Sequence, residues 1–226
     1  MTRRFSRLCA RPWIAVVAVV ALAAGCAGGG QRPPATPRVV PPAASIGSPS
    51  SSVQGLYESG RYREVLSSIS AGTTGAEALW FAAHSNLRLG QREEAARQFA
   101  KLPAAGASPA WQVVSDLALA LLNGDVEALD RARAAAAAFP VDPFVQFELG
   151  LAHANRNDFT AAAQAFDRCA EAEPRFAYAY YNAGLAYDRL KRADLMTARL
   201  ETFQRLAPEA PERPEVESIL RTVRGR

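Results

Sequence analysis

The side chains of this chain that could act as nucleophiles, acids or metal ligands are few and widely separated. His84 and His153 are the only histidines, and neither has a cysteine or a pair of carboxylates at metal-ligand spacing, so we expect His153 to pack between helices. Cys169 stands at a small-residue position of a helical segment, which predicts a buried apolar thiol rather than a nucleophile. The chain contains no phosphate-binding loop and no HExxH, GxSxG or CxxC motif. These observations predict a protein that is not an enzyme and that holds no metal or cofactor.

Cys26 is the one cysteine whose setting favours a modification. It follows a basic start and an apolar stretch over residues 14–24, which together have the length of a secretory signal and are too short to span a membrane. The preceding residues, Leu22-Ala23-Ala24-Gly25, make this segment resemble the lipobox of bacterial lipoproteins. The resemblance implies a signal peptide over residues 1–25 and a diacylglyceryl group on the Cys26 thiol. Cleavage after Ala23, which would leave Cys26 a free thiol, is the alternative.

The membrane would then be a partner of the chain, because buried acyl chains contribute about 0.8 kcal/mol per methylene to anchoring. Ala27, rather than an aspartate, follows Cys26. By resemblance to lipoproteins of Gram-negative bacteria, this implies the outer membrane. We therefore expect the protein in the cell envelope, anchored to the outer membrane by lipid and facing the periplasm.

The formal net charge of +4 and the pI near 9.2 first suggest a nucleic-acid partner. Four arginines precede Cys26, however, and would leave with the signal peptide, after which 22 basic and 22 acidic residues remain. Residues 54–226 alone carry 20 basic and 22 acidic residues. The basic balance therefore belongs to the export signal, and we predict no nucleic-acid partner.

Residues 26–53 have the composition of a tether. Six of the fifteen prolines fall in this segment, among glycine, serine and alanine. Such a segment cannot bury enough apolar surface to order itself, and at about 3.1 Å per residue it would reach at most on the order of 80 Å. We expect a disordered spacer, after the lipidated cysteine, that holds a folded domain away from the lipid headgroups.

From Gln54 onward the chain carries the signals of helices rather than strands. Segments such as Glu93–Leu102 and Val126–Phe139 are rich in alanine, leucine, arginine and glutamate, and turn signals such as Pro103–Pro109 separate them. There is no sustained alternation of β-branched and polar residues. The pattern predicts short antiparallel helix pairs.

The helix pairs recur at a fixed period. Pro140, Pro174 and Pro208 lie 34 residues apart, and Gly150 and Gly184 repeat at the same interval. A 34-residue period of helix–turn–helix units resembles the tetratricopeptide repeat (TPR). The resemblance implies an all-α, right-handed superhelix of antiparallel helix pairs, ten or eleven helices in all, in which the glycines let paired helices approach closely.

The two clearest repeats depart from the family's pattern at a few positions. Gln146 stands where an aromatic residue is usual, His153 replaces a tyrosine, and Met196 replaces a small alanine. After the last repeat, apolar residues recur at helical spacing, which predicts a helix that caps the array. The predicted organisation is repeats at about 54–72, 75–103, 109–140, 143–174 and 177–208, followed by a capping helix within 209–226.

In TPR proteins the first helix of each pair lines a concave groove that binds peptides or partner helices. The resemblance therefore implies partner-binding candidates on the first helices of the two clearest repeats. These candidates are Phe144, Phe147 and Leu151, then Tyr178, Tyr181, Leu185, Asp188 and Arg189. Helical spacing alone does not distinguish an exposed aromatic patch from buried core between repeats, so both interpretations stay open for the four aromatic residues.

The leading functional hypothesis is a non-catalytic scaffold or assembly factor that binds an envelope protein or peptide through the concave groove. It is similar to TPR lipoproteins that assist the assembly of envelope machines. A second hypothesis is a structural module that stacks into a homo-oligomer through its C-terminal helix. A third is an accessory subunit of an envelope enzyme, which the missing catalytic motifs disfavour.

Overall fold

A computed structural model of the protein describes residues 52–70 and 75–225. The predicted signal peptide, Cys26 and nearly all of the predicted tether lie outside these residues. None of the helices within them is long and apolar enough to cross a membrane. The described residues form eleven α-helices: α1 Val53–Glu58, α2 Tyr62–Ser70, α3 Ala76–Arg88, α4 Arg92–Ala105, α5 Ala110–Asn123, α6 Val126–Ala136, α7 Pro143–Asn155, α8 Phe159–Ala172, α9 Ala177–Arg189, α10 Ala193–Leu206 and α11 Arg213–Arg224.

These helices form five consecutive pairs followed by a single C-terminal helix. In three of the pairs, α3/α4, α7/α8 and α9/α10, a helix of 13 residues precedes one of 14. Each first helix packs along its own second helix and against the neighbouring pair. The predicted all-α, TPR-like superhelix of antiparallel helix pairs is confirmed, and α11 stands in the place of the predicted cap.

Residues in the left-handed region mark the turns inside successive pairs. Gly90, Gly124, Asn157 and Lys191 have φ values of 75°, 67°, 60° and 59°. Glycine and asparagine adopt this conformation at low cost, so the two helices can reverse direction within a few residues. The turns therefore repeat at nearly the period of the sequence.

Two glycines permit close packing inside the last two pairs. A Cβ atom at Gly150 would lie 2.5 Å from Cε1 of Phe166, and one at Gly184 would lie 2.6 Å from Cδ2 of Leu200. Met196, despite its size, is buried in the last pair. The predicted role of the glycines, which is to let paired helices touch, is confirmed.

Two helix ends differ from the sequence prediction. α4 continues through Pro103 to Ala105 instead of ending at Leu102. Inside a helix a proline removes one backbone hydrogen bond and its ring crowds the carbonyl four residues back, but its fixed φ is helical, and α4 ends only two residues after Pro103. α6 ends at Ala136 rather than Phe139, and the backbone N–H groups of 137–139 donate to carbonyls three residues back. The tighter turn brings the chain round to α7.

The core extends across the inner side of the array and joins helices that are distant in sequence. The Trp80 ring of α3 packs edge-on against Phe147 of α7 and against Phe176, with ring centroids 5.3 and 5.6 Å apart. At the other end of α3, Arg88 forms an ion pair with Glu212 just before α11. The second helix pair is therefore in direct side-chain contact with the fourth and fifth.

Candidate functional site

The predicted groove residues of α7 divide between core and surface. Phe147 is only 4% exposed, and its ring stacks with Phe176 at 4.9 Å and meets Phe166 at 5.6 Å. Phe144, one turn earlier, is half-buried beside Trp111, and Leu151 is also half-buried. For Phe147 the structure favours the core interpretation.

The predicted groove residues of α9 also divide between core and surface. Tyr178 is 1% exposed, its hydroxyl donates to Oε2 of Glu212 at 2.7 Å, and the Arg88 guanidinium lies over its ring at 5.2 Å. Tyr178 therefore belongs to the core as well. Further along α9, Tyr181 and Leu185 are half-buried.

The C-terminal end of α9 is the accessible part of this row. Asp188 and Arg189 are both exposed, and the Arg189 guanidinium lies 5.7 Å from the centre of the Phe159 ring on α8. A cation over an aromatic face gains electrostatic attraction, which orients the arginine without burying it. Of the eight predicted groove residues, these two are the ones that the structure places fully at the surface.

A buried polar cluster explains why much of the inner face is closed. Glu148 of α7 is 1% exposed, and its Oε1 accepts hydrogen bonds from Trp80 Nε1 at 2.8 Å and from His84 Nε2 at 2.7 Å. A buried carboxylate is tolerated only where donors satisfy it. The cluster therefore binds α3 directly to α7 across the inner side.

Sequence reasoning missed this cluster, although two signals point to it. Trp80 and His84 are four residues apart and so lie on one face of α3. Glu148 is the only charged residue between Asp142 and Arg156, in an otherwise apolar helix. An isolated acid in such a helix commonly has a buried partner.

The first helix closes the inner face from its other side. Gln54 Nε2 donates to the carbonyl of Arg175 at 3.3 Å, and the backbone N–H of Ala177 donates to Oε1 of Glu58 at 3.0 Å. Burial raises the pKa of Glu58 from 4.5 to about 7, although the hydrogen bonds from Gln54 and Ala177 act in the opposite direction. We call this contact the α1–α9 clasp.

The two titratable residues singled out by their type have structural surroundings. Cys169 is fully buried, as predicted, and burial raises the pKa of its thiol well above the usual value, so the reactive thiolate is disfavoured. His153 lies between helices, where its Nδ1 is 2.7 Å from Arg133 Nη2. Within the described residues, no group of histidines, cysteines and carboxylates could hold a metal ion.

No family model matches the chain, and no curated protein matches it either. Among solved structures it is similar to MamA, at 19% identity and a TM-score of 0.42, covering 66% of this chain and 88% of MamA. A second MamA structure has 16% identity and a TM-score of 0.40, covering 70% and 96%. YrrB, described as a TPR protein with an unusual peptide-binding site, has 20% identity and a TM-score of 0.37, covering 70% and 82%. The peptide-binding site is a property of YrrB and does not by itself identify a ligand of this chain.

Proposed function

We propose that this protein is a non-catalytic interaction scaffold, anchored to the outer membrane through Cys26 and binding another envelope protein from the periplasmic side. The TPR-like array of helix pairs supports the scaffold part of this proposal. The lipobox-like segment that ends at Cys26 supports the anchor. The scaffold and the anchor are separate claims, and each needs its own test.

The partner surface that we propose is the accessible end of the row on α9, which comprises Tyr181, Leu185, Asp188 and Arg189 (the α9 row). We choose this surface because burial differs along α9: Tyr178 is buried, whereas Asp188 and Arg189 are exposed. A half-buried aromatic and aliphatic pair bordered by charges is typical of an interaction surface. Phe147 and Tyr178 support this surface from beneath rather than touching a partner.

Charge reversal tests the α9 row without disturbing the core. Asp188→Arg combined with Arg189→Glu should abolish co-purification of the partner while leaving the helical circular dichroism signal unchanged. Arg131→Glu is the matched control, since Arg131 is also an exposed arginine on a helix, α6, that lies outside the α9 row. Retention of the partner by the α9 double variant would refute this choice of surface.

The anchor is tested by removing the acylated thiol. Cys26→Ser should move the protein from the membrane fraction to the soluble periplasmic fraction, because no acyl chains remain to hold it in the bilayer. Cys169→Ser is the matched control, and it should leave the protein in the membrane. A Cys26→Ser protein that stays membrane-bound would contradict the lipid anchor but would leave the scaffold proposal intact.

A further inference from the structure

A pocket of about 520 Å³ lies between α6, α7 and α8, away from the α9 row. Its polar lining comes from Arg133, Gln146, His153 and Arg168, and its apolar wall from Leu149, Pro140 and the alanines of α6. The pocket opens to solvent, and its lining combines an apolar wall with a few placed polar groups, as small-molecule sites do.

The next repeat provides an internal comparison for this pocket. Thirty-four residues further on, Tyr180 and Tyr187 take the places of Gln146 and His153, and Asp167 takes the place of Arg133. There the Tyr187 hydroxyl donates to Asp167 Oδ2 at 2.6 Å. This boundary between consecutive repeats, which we call the seam, carries two tyrosine rings in the later repeat and the smaller glutamine and histidine side chains in the earlier one.

The charge of the seam differs as well. In the later repeat Arg199 Nε donates to Asp167 Oδ1 at 2.8 Å, so an internal carboxylate neutralises the cation. In the earlier repeat two arginines line the pocket and no carboxylate does, among the residues that the structure describes. The carboxylates of the earlier seam lie outside the pocket lining, where Asp130 is 3.5 Å from Arg133 and Asp158 is 3.2 Å from His153.

The two arginines are held by different partners. Arg168 Nε donates to Oε1 of Gln146 at 2.8 Å, and Gln146, only 2% exposed, donates in turn to the carbonyl of Phe139. This leaves the two terminal nitrogens of Arg168 without a hydrogen-bond partner in the described part of the chain. A guanidinium oriented through Nε can still offer its other N–H groups to a carboxylate.

Arg133 lies beside His153. The Nη2 of Arg133 is 2.7 Å from His153 Nδ1, while Asp158 Oδ2 is 3.2 Å from the same nitrogen. Burial and the charge of Arg133 lower the pKa of His153, which favours the neutral ring. Asp130 is 3.5 Å from Arg133 Nη1 but lies closer, at 2.8 Å, to Arg156.

We infer that this pocket, which we call the α6–α8 pocket, binds a small carboxylic acid with an aliphatic substituent. Arg133 and Arg168 bind the carboxylate, and Leu149 with the α6 alanines contacts the aliphatic group. An inorganic anion would fit less well, because the apolar wall would offer it no hydrogen bonds. This site is independent of the proposed partner surface on α9.

The test is an NMR titration of the purified protein, following the arginine Nε resonances, with 4-methylpentanoate. Saturable shifts at Arg133 and Arg168 are expected, and 4-methylpentanamide, which has the same shape without the charge, should cause none. Equal binding of acid and amide, or tighter binding of inorganic phosphate than of the acid, would overturn the inference.

Variants separate the pocket from non-specific attraction. Arg168→Gln should weaken binding by about tenfold or more, since hydrogen bonds to charged groups are among the strongest. The control Arg131→Gln, on α6 but outside the pocket lining, should leave binding unchanged. Gln146→Tyr combined with His153→Tyr should place the two tyrosine rings of the next repeat in the pocket and abolish binding while preserving the fold. Undiminished binding by that double variant would also refute the site.

Discussion

Replacing the buried carboxyl group of the α1–α9 clasp should stabilise the protein at neutral pH. Glu58 is the last residue of α1, and its side chain is buried against the start of α9. This desolvation raises its pKa from 4.5 to about 7. Glu58→Gln keeps an oxygen that can accept the hydrogen bonds of Ala177 N–H and Gln54, but it cannot ionise. The variant therefore removes only the cost of burying a charge.

The sign of the effect follows from the two pKa values. Because the pKa of Glu58 is higher in the folded protein than in the unfolded chain, the folded state retains a proton that the unfolded state releases between pH 4.5 and 7. The contribution of Glu58 to the free energy of unfolding should therefore fall as pH rises through this window, by about 3 kcal/mol in total, since one pKa unit corresponds to about 1.4 kcal/mol. Above pH 7 the loss should be complete.

The assay is urea denaturation of wild type and Glu58→Gln at pH 5, 6, 7 and 8. The free energy of unfolding of the variant, relative to wild type, should increase steadily with pH and level off above 7. Glu127→Gln, at an exposed carboxylate, is the control and should show no such trend. Parallel pH profiles for wild type and Glu58→Gln would show that Glu58 ionises normally, and the clasp as described would be refuted.

Three further perturbations test how the helices pack, across the inner face and within one pair. Glu148→Ala should lower the free energy of unfolding by about 3 to 5 kcal/mol, because Trp80 N–H and His84 lose a shared buried acceptor. A loss below about 1 kcal/mol, measured by urea denaturation, would contradict that packing. Phe147→Ala should cost about 3 to 5 kcal/mol in the same assay, as expected for a core aromatic, whereas an unchanged midpoint would place the ring at the surface. Gly150→Ala should cost about 1 to 3 kcal/mol, because its Cβ would meet the Phe166 ring, and a neutral effect would mean that the ring moves aside freely.

The sequence was sufficient to predict the local architecture. Helix composition, turn residues and the 34-residue period of Pro140, Pro174 and Pro208 predict the helix pairs, and the glycines predict where paired helices touch. Each of these features depends on neighbours within one or two repeats. Pro103 predicts the end of a helix, but α4 continues for two more residues, because the fixed φ of proline is itself helical.

The closure of the inner face could not be predicted in the same way. Trp80 and Glu148 are 68 residues apart, and Glu58 and Ala177 are 119 apart, so no local period relates them. How tightly the superhelix winds determines whether such residues meet, and small rotations between repeats add up along the array. For the same reason, helical spacing placed Phe144 and Phe147 in one row, although only Phe147 is in the core.

We propose that the protein meets its partner through the α9 row. Site-specific photocrosslinking in intact cells tests it most directly, with a photoreactive amino acid placed at Arg189 in one strain and at the control position Arg131 in another. We predict one defined crosslinked species from position 189 and none from position 131. Crosslinks of equal yield at both positions, or none at position 189, would contradict the account.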